Sequence, residues 1–153
     1  MGDLARDLYD EDFYAWTRAQ AKALRALAHE RRNLPIDVLH LAEEVEDLGK
    51  EQRNACRSQV RTIIEHLLKL QLSPATEPRA GWERTILMAR AALDDRLTRT
   101  LERDLEAQLA KLYAQAATLA RQSLETHGEH AAAASIPPTC PYTLDEIGSG
   151  AKA

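Results

Sequence analysis

Apolar side chains recur every three or four positions over most of the chain, a spacing that places them on one face of an α-helix. The first such stretch covers about residues 10–32 and includes Phe13 and Trp16. Asp10 is its predicted N-cap, because a carboxylate there can accept a hydrogen bond from the first free backbone N–H groups. Pro35 disfavours helical geometry at the residue before it, so the helix should end ahead of it.

The second and longest predicted helix begins after Asp37 and reaches Leu72. Gly49 lies inside it and costs about 1 kcal/mol relative to Ala. We therefore expect a bend there, or the close approach of another helix. After residue 60 the apolar positions widen, which indicates that this half is covered on more than one side. The apolar stripe of the whole helix consists of Val38, Leu41, Val45, Leu48, Ala55, Ile63 and Leu67.

Residues 73–81, SPATEPRAG, read as the clearest internal loop, because they contain two prolines and end on glycine. Helical spacing returns over residues 82–97 and again over residues 101–126. Thr143 and Glu146 form the T-x-x-E pattern of a capping box at the start of one last short turn. The pattern as a whole predicts an all-α protein, an up-and-down bundle of about four helices with a short docked C-terminal helical turn.

Composition supports this interpretation, since the strong helix formers Leu, Ala, Glu and Arg dominate. A chain of 153 residues with 44% apolar and 29% charged residues suits one globular domain. We place that domain at residues 10–147, with an N-terminal arm at 1–9 and a tail at 148–153.

Charge and cysteine content restrict the class of protein further. A net charge of −4 argues against a protein whose main function is to hold nucleic-acid backbones. No apolar run approaches the length of about 18 residues that a membrane span needs. The first residues are acidic, unlike the basic start of a signal peptide, so we expect a cytoplasmic protein without membrane association. Cys56 and Cys140 are then expected to be free thiols, and their spacing does not suit zinc.

The stretch LAEEVEDLGKE, residues 41–51, holds five carboxylates within the long helix. On a helical wheel the apolar residues of this stretch point toward one side, so we expect burial of Leu41, Val45 and Leu48. Glu43 and Glu46 point away and should be solvated. Glu44 lies at the shoulder of the apolar face, where an unpaired carboxylate is costly. We expect it to pair with an arginine of another helix, such as Arg84 or Arg90.

Two histidines allow a sharper interpretation. His40, Glu44 and Asp47 share one flank at spacings of four and three, which could present ligands to a metal, but matching ligands on other helices are missing. His66 lies within the apolar stripe and is expected to be a core residue that hydrogen-bonds across the bundle. Glu44, Asp47 and His66 are therefore weak metal candidates. We identify no catalytic residue and expect no cofactor.

A basic stripe follows the first predicted helix at spacings of four and three residues. It consists of Arg18, Lys22, Arg25, His29 and Arg32. Solvation is the usual explanation of such a stripe. An acidic partner or nucleic acid could bind it instead, but Glu30 lies beside it and the aromatic residues that stack on bases are missing from that face.

Five blocks of sequence, YDEDFYAW, LAEEVEDLG, HLLKL, GWERTI and CPYTLDEI, carry a resemblance to a known family. Over about residues 9–147 the chain resembles the bacterial domain-of-unknown-function family numbered twenty-nine. The resemblance implies a compact all-α protein and no established activity, cofactor or catalytic residue. Members commonly have Trp where Leu70 stands and Asn or another polar residue where His40 stands. The family motif is matched at Glu43, Glu44, Asp47, Gly49 and His66.

Three hypotheses follow. The favoured one is a non-enzymatic module that acts through a protein partner or through self-association into a homo-oligomer. Its candidate contact residues are Arg18, Lys22, Arg25, Arg32, Glu43 and Glu46. The second is a metal-binding protein or hydrolase-like enzyme that uses the acidic flank. The third, less favoured, is nucleic-acid binding through the basic stripe.

Overall fold

The computed structural model describes residues 2–149, with side chains from residue 7 onward. It is 80% helical, and its described residues form no strand. The all-α class and the helical bundle are confirmed, and four of the helices are long. In chain order the helices are α1 (Gly2–Glu11), α2 (Phe13–Glu30), α3 (Val38–Leu72), α4 (Arg79–Arg96), α5 (Arg99–Thr126), α6 (His130–Ala134) and α7 (Leu144–Ser149).

The described residues separate into two compact units. The first unit holds the residues up to Ala55 together with Thr98–Arg103. The second unit holds Cys56–Leu97 together with the residues from Asp104 onward. The boundaries of a single domain at residues 10–147 stay a prediction.

In the first unit, Asp12 separates α1 from α2 and caps α2. One oxygen of its buried carboxylate accepts from the backbone N–H of Ala15 at 3.0 Å, and the other accepts from that of Thr100 at 2.9 Å. Burial raises the pKa of Asp12, but these hydrogen bonds outweigh it and hold the pKa below the ordinary value of 3.8. The expected N-cap at Asp10 is therefore wrong, because the carboxylate that meets the free N–H groups lies two residues later.

The residues expected to form an N-terminal arm are helical from Gly2 onward. Three aromatic rings hold the end of α1 to the start of α2. The ring of Tyr9 meets Phe13 and Trp16 edge-on, at centroid distances of 5.6 and 4.9 Å. Such edge-to-face contacts stabilise the packing in addition to the burial of apolar area by the rings. This cluster is part of the contact between α1 and α2.

Also in the first unit, α2 and α3 approach closely where both carry small residues. Ala21 and Ala42 are buried, and Thr17 is fully enclosed with its hydroxyl donating to the carbonyl of Tyr14 at 2.7 Å. A Cβ atom added at Gly49 would lie 3.1 Å from the Cβ of Thr17 and closer still to its Oγ1. The close approach expected at Gly49 is therefore confirmed.

The second unit has a core of larger side chains. The second half of α3 buries residues on more than one side, as expected from its widened apolar pattern. Arg57 also forms a two-pronged ion pair with Asp104 of α5, at 2.8 and 2.6 Å, which fixes the register of the two helices. The fully buried core side chains include Val60, Ile63, Ile64, Leu68, Leu105 and Leu124.

The C-terminal segment docks within the second unit, as expected. Leu144 and Ile147 are buried, and the guanidinium of Arg90 donates to the carbonyls of Glu146 and Ile147 at the end of α7. Burial raises the pKa of Tyr142 to about 12, so its hydroxyl stays protonated and donates to Gln71 at 2.9 Å. The hydrogen bonds from Arg90 satisfy backbone carbonyls that a short helix leaves without partners.

The capping box that opens α7 is present in altered form. The backbone N–H of Glu146 donates to the hydroxyl oxygen of Thr143 at 3.2 Å, and that hydroxyl donates to the Glu146 carboxylate. Gly148 and Ser149, which fall in the expected tail, are helical residues of α7. Its remaining residues, 150–153, lie outside the described residues, as does Met1.

Candidate functional site

The acidic stretch of α3 lies in the first unit, and the side of it that is buried is not the expected one. Leu41 and Leu48 are 44% and 48% exposed, and Val45 is half-buried. The buried residues are Ala42 and Gly49, which lie roughly a quarter turn away around the helix. The expected burial of the leucines is therefore wrong. Because Ala42 and Gly49 are small, α2 packs against the side of α3 that carries them. The leucines stay partly exposed to solvent.

The acid with a specific partner is Glu46, not Glu44. Glu46 is half-buried, and the guanidinium of Arg25 on α2 donates to its carboxylate at 2.5 Å. This hydrogen bond and the charge of Arg25 lower the pKa of Glu46. Glu44 is exposed and makes no ion pair within the described part of the chain. The expected pairing of Glu44 is wrong because the face it borders is not buried. One arginine proposed for it, Arg90, instead binds the carbonyls of α7.

The acids that remain in water border the two exposed leucines. Glu44, Asp47 and Glu51 are exposed along one edge of the strip that contains Leu41 and Leu48. We call these five residues the acidic-apolar face of α3. Lys50 lies 3.7 Å from Asp47 and offsets part of its charge. Glu43 is also exposed, as expected, but it points to the far side of the helix.

The weak metal candidates do not assemble into a cluster. Glu44 and Asp47 belong to the first unit and His66 to the second. Among the residues whose side chains the structure describes, 7–149, no group of three or more His, Cys, Asp or Glu side chains could hold a metal ion. His40, the other candidate ligand, instead contacts Asp37 at 2.6 Å.

His66 is a half-buried residue whose partner lies in its own helix. Its Nδ1 is 2.8 Å from the carbonyl of Thr62, one turn earlier. Because a carbonyl can only accept, Nδ1 carries the proton. Burial lowers the pKa of His66, which keeps the ring neutral. The expected hydrogen bond across the bundle is wrong, since the N–H of the ring donates to a carbonyl of the same helix.

The basic stripe is only partly brought together. Arg18, Lys22 and Arg25 line a small pocket of about 330 Å³ on α2, but Glu46 lies in the same pocket. Arg32 lines a different pocket, of about 300 Å³, beside Ile36 and Leu39. The carboxylate of Glu46 is already bound to the stripe, so the stripe presents less positive charge than the sequence indicated.

A larger cleft in the second unit was not anticipated. It encloses about 1210 Å³ and is bordered by the end of α3, the loop at residues 74–78, the start of α4 and the end of α5. The ammonium group of Lys69 lies 5.3 Å from the centre of the Trp82 ring. A signal was available, because Lys69 is a lone cation inside the apolar run HLLKL. Only the fold, however, brings Trp82 against it.

The cysteines are free thiols, as expected. Cys56 is buried, and burial raises the pKa of its thiol. Burial likewise raises the pKa of Cys140, whose Sγ donates to the carbonyl of Tyr142 at 3.3 Å. Neither thiol therefore resembles a reactive cysteine, whose pKa is lowered. None of the described helices has the length and apolar content of a membrane span.

These features define a class of all-α helical-bundle protein. The family model described as "Domain of unknown function DUF29" matches residues 8–150, and the chain belongs to that family. The suggested family is confirmed, and its name carries no activity.

A solved structure supports the same class. The crystal structure of an alpha-helical protein of unknown function from Rhodospirillum rubrum is similar, with a TM-score of 0.82 and 27% sequence identity. The similarity covers 92% of this chain and 89% of that one. No curated protein matches the chain significantly.

Proposed function

We propose that this protein is a non-enzymatic interaction protein of the cytoplasm, which binds a basic amphipathic helix of a partner protein on the acidic-apolar face of α3. The observation that carries the proposal is the exposure of Leu41 and Leu48 on a helix that buries its small residues instead. Two leucines seven residues apart lie on the same side of a helix and are typical anchors for a partner helix. The free thiols suit a reducing compartment.

The charge of the border selects the kind of partner. Glu44 and Glu51 are exposed and form no ion pair within the described residues. A second copy of the chain docked face to face would bring these carboxylates near their own counterparts, and like charges repel. A segment with lysines or arginines beside apolar residues would satisfy both the leucines and the acids.

Two synthetic helices test this proposal, one with leucines flanked by lysines and one with the lysines replaced by glutamates. Fluorescence anisotropy should show that the basic peptide binds and the acidic one does not. The double variant Leu41→Ser/Leu48→Ser should weaken binding by about tenfold or more, since each anchor contributes apolar contact area. Glu44→Gln/Glu51→Gln should weaken binding and reduce its salt dependence.

The matched control is Leu119→Ser, because Leu119 is 45% exposed but lies on α5 outside the face. It should leave binding unchanged. Equal binding of both peptides, or equal loss in the control, would contradict the proposal. A homo-oligomer that Leu41→Ser/Leu48→Ser dissociates would show instead that a second copy covers the face.

A further inference from the structure

The cleft of the second unit is large enough for an organic ligand. Its volume of about 1210 Å³ exceeds the range of about 300–1000 Å³ that is usual for small-molecule sites. The apolar part of its wall includes Pro74, Pro78, Trp82 and Leu124. The rest of the wall is polar, and in ligand sites a few polar groups set among apolar side chains fix the orientation of the ligand.

Lys69 is the most buried charged residue in the wall. Its side chain is 8% exposed, and its Nζ lies 3.3 Å from the carboxylate of Glu65. Glu65 stands behind it, outside the wall. An ammonium group has three N–H donors, and Glu65 accepts from one of them. The Trp82 ring stabilises the cation through its π face but accepts no strong hydrogen bond. Donor capacity therefore remains for a ligand oxygen.

The other charged groups restrict the charge that a ligand can carry. Glu129 lies in the wall and accepts a hydrogen bond from the hydroxyl of Ser73. Glu77 also borders the cleft and is exposed. These two carboxylates repel any anion, and they repel an anion with several charges, such as a phosphate, more strongly than one with a single charge. Lys69 beside the apolar side chains of the wall matches an anion with a single charge and an apolar body.

We propose that this cleft binds an organic monocarboxylate, with the carboxylate accepting from Lys69 and the apolar body lying against Trp82. The stacking of Lys69 on Trp82 fixes the ammonium group at the wall before the ligand arrives, which lowers the entropic cost of binding. This site is separate from the acidic-apolar face of α3 and does not depend on the function proposed for that face.

Three probes of equal chain length test the ligand class: octanoate, octylamine and 1-octanol. Each is titrated into the protein while the indole N–H signal of Trp82 is followed by NMR, with Trp82→Phe used to assign that signal. Octanoate should give saturable shifts, with affinity about tenfold or more above that of the other two, because only it can accept a charge-assisted hydrogen bond from the buried ammonium group of Lys69. Inorganic phosphate should give no comparable shift. Octylamine binding as tightly as octanoate, or phosphate competing equally, would overturn the proposal.

Lys69→Met tests the cation while keeping the length of the side chain. It should weaken octanoate binding by about tenfold or more and leave octanol binding unchanged. Lys111→Met is the matched control, because Lys111 is an exposed lysine of α5 that does not line the cleft. Lys69→Arg, which keeps the charge, should retain octanoate binding, and Lys69→Gln removes the charge if Lys69→Met does not fold. Unchanged octanoate affinity in the variant without the charge, or an equally large loss of octanoate affinity in Lys69→Arg, would overturn the assignment.

Discussion

The two halves of α3 use opposite means of packing although they belong to one continuous helix. In the first half, small residues are buried and leucines stay partly exposed. In the second half, Ile63, Ile64 and Leu68 are fully buried. An apolar stripe therefore predicts the core side of a helix only where packing depends on large side chains. Where another helix packs on glycine and alanine, backbone approach decides which side is covered.

The largest expected contrast comes from truncating one large side chain in each half. Ile63→Ala should lower the free energy of unfolding by about 2–5 kcal/mol, because it removes a fully buried side chain and leaves a cavity. Leu48→Ala should cost about 1 kcal/mol or less, since its side chain is 48% exposed. Urea denaturation followed by circular dichroism gives both values. Equal losses would mean that the two halves are buried alike.

A smaller effect is expected from adding a methyl group in the first half of α3, where this helix approaches α2 closely. Gly49→Ala should lower the free energy of unfolding by about 1–3 kcal/mol, because its new methyl group overlaps Thr17, even though Ala favours the helix by about 1 kcal/mol. Thermal and urea denaturation measure the change.

Two further variants isolate the cause of that loss. In α4, Gly81→Ala meets nothing within 4 Å and should be neutral or stabilise by up to about 1 kcal/mol. In a Thr17→Ala background, where the overlapping hydroxyl is gone, Gly49→Ala should cost less than in the natural chain. Similar losses with and without Thr17 would show that the contact with α2 is not what requires glycine.

The smallest contrast concerns the two histidines of α3. A hydrogen bond from His40 to Asp37, and then the Asp37 charge, raise the pKa of His40. Burial lowers the pKa of His66. An NMR titration should therefore find His40 titrating above the ordinary value of 6.5 and His66 below it.

The two shifts act on stability in opposite directions. The contribution of His40 is fully present below pH 6.5 and is lost as the pH rises through its folded pKa. As the pH falls, His66 takes up its proton at a higher pH in the unfolded chain than in the folded one. Stability therefore falls as the pH drops from 6.5 toward the folded pKa of His66. His66→Gln should remove only the loss of stability below pH 6.5, and His40→Gln only the loss of stability above it. The same direction of pH dependence in both variants would contradict these environments.

Much of the fold could be predicted because it depends on local signals. The long helix ends at Leu72 as expected, and Asp37 caps it by accepting from the N–H of His40 at 3.2 Å. The docking of Ile147 also followed from apolar spacing near a capping motif. The pairing of Glu46 with Arg25 could not be predicted, because it depends on which face of α3 meets α2.

The all-α class and several helix ends, such as those at Leu72 and Thr126, follow from the amino-acid sequence alone, because helix propensity, caps and spacing act within a few residues. The exposure of Leu41 and Leu48 and the contact of Lys69 with Trp82 are instead properties of the tertiary structure. Both outcomes depend on how residues distant in sequence are packed. A helical wheel shows which side chains share a face, but not which face another helix will cover.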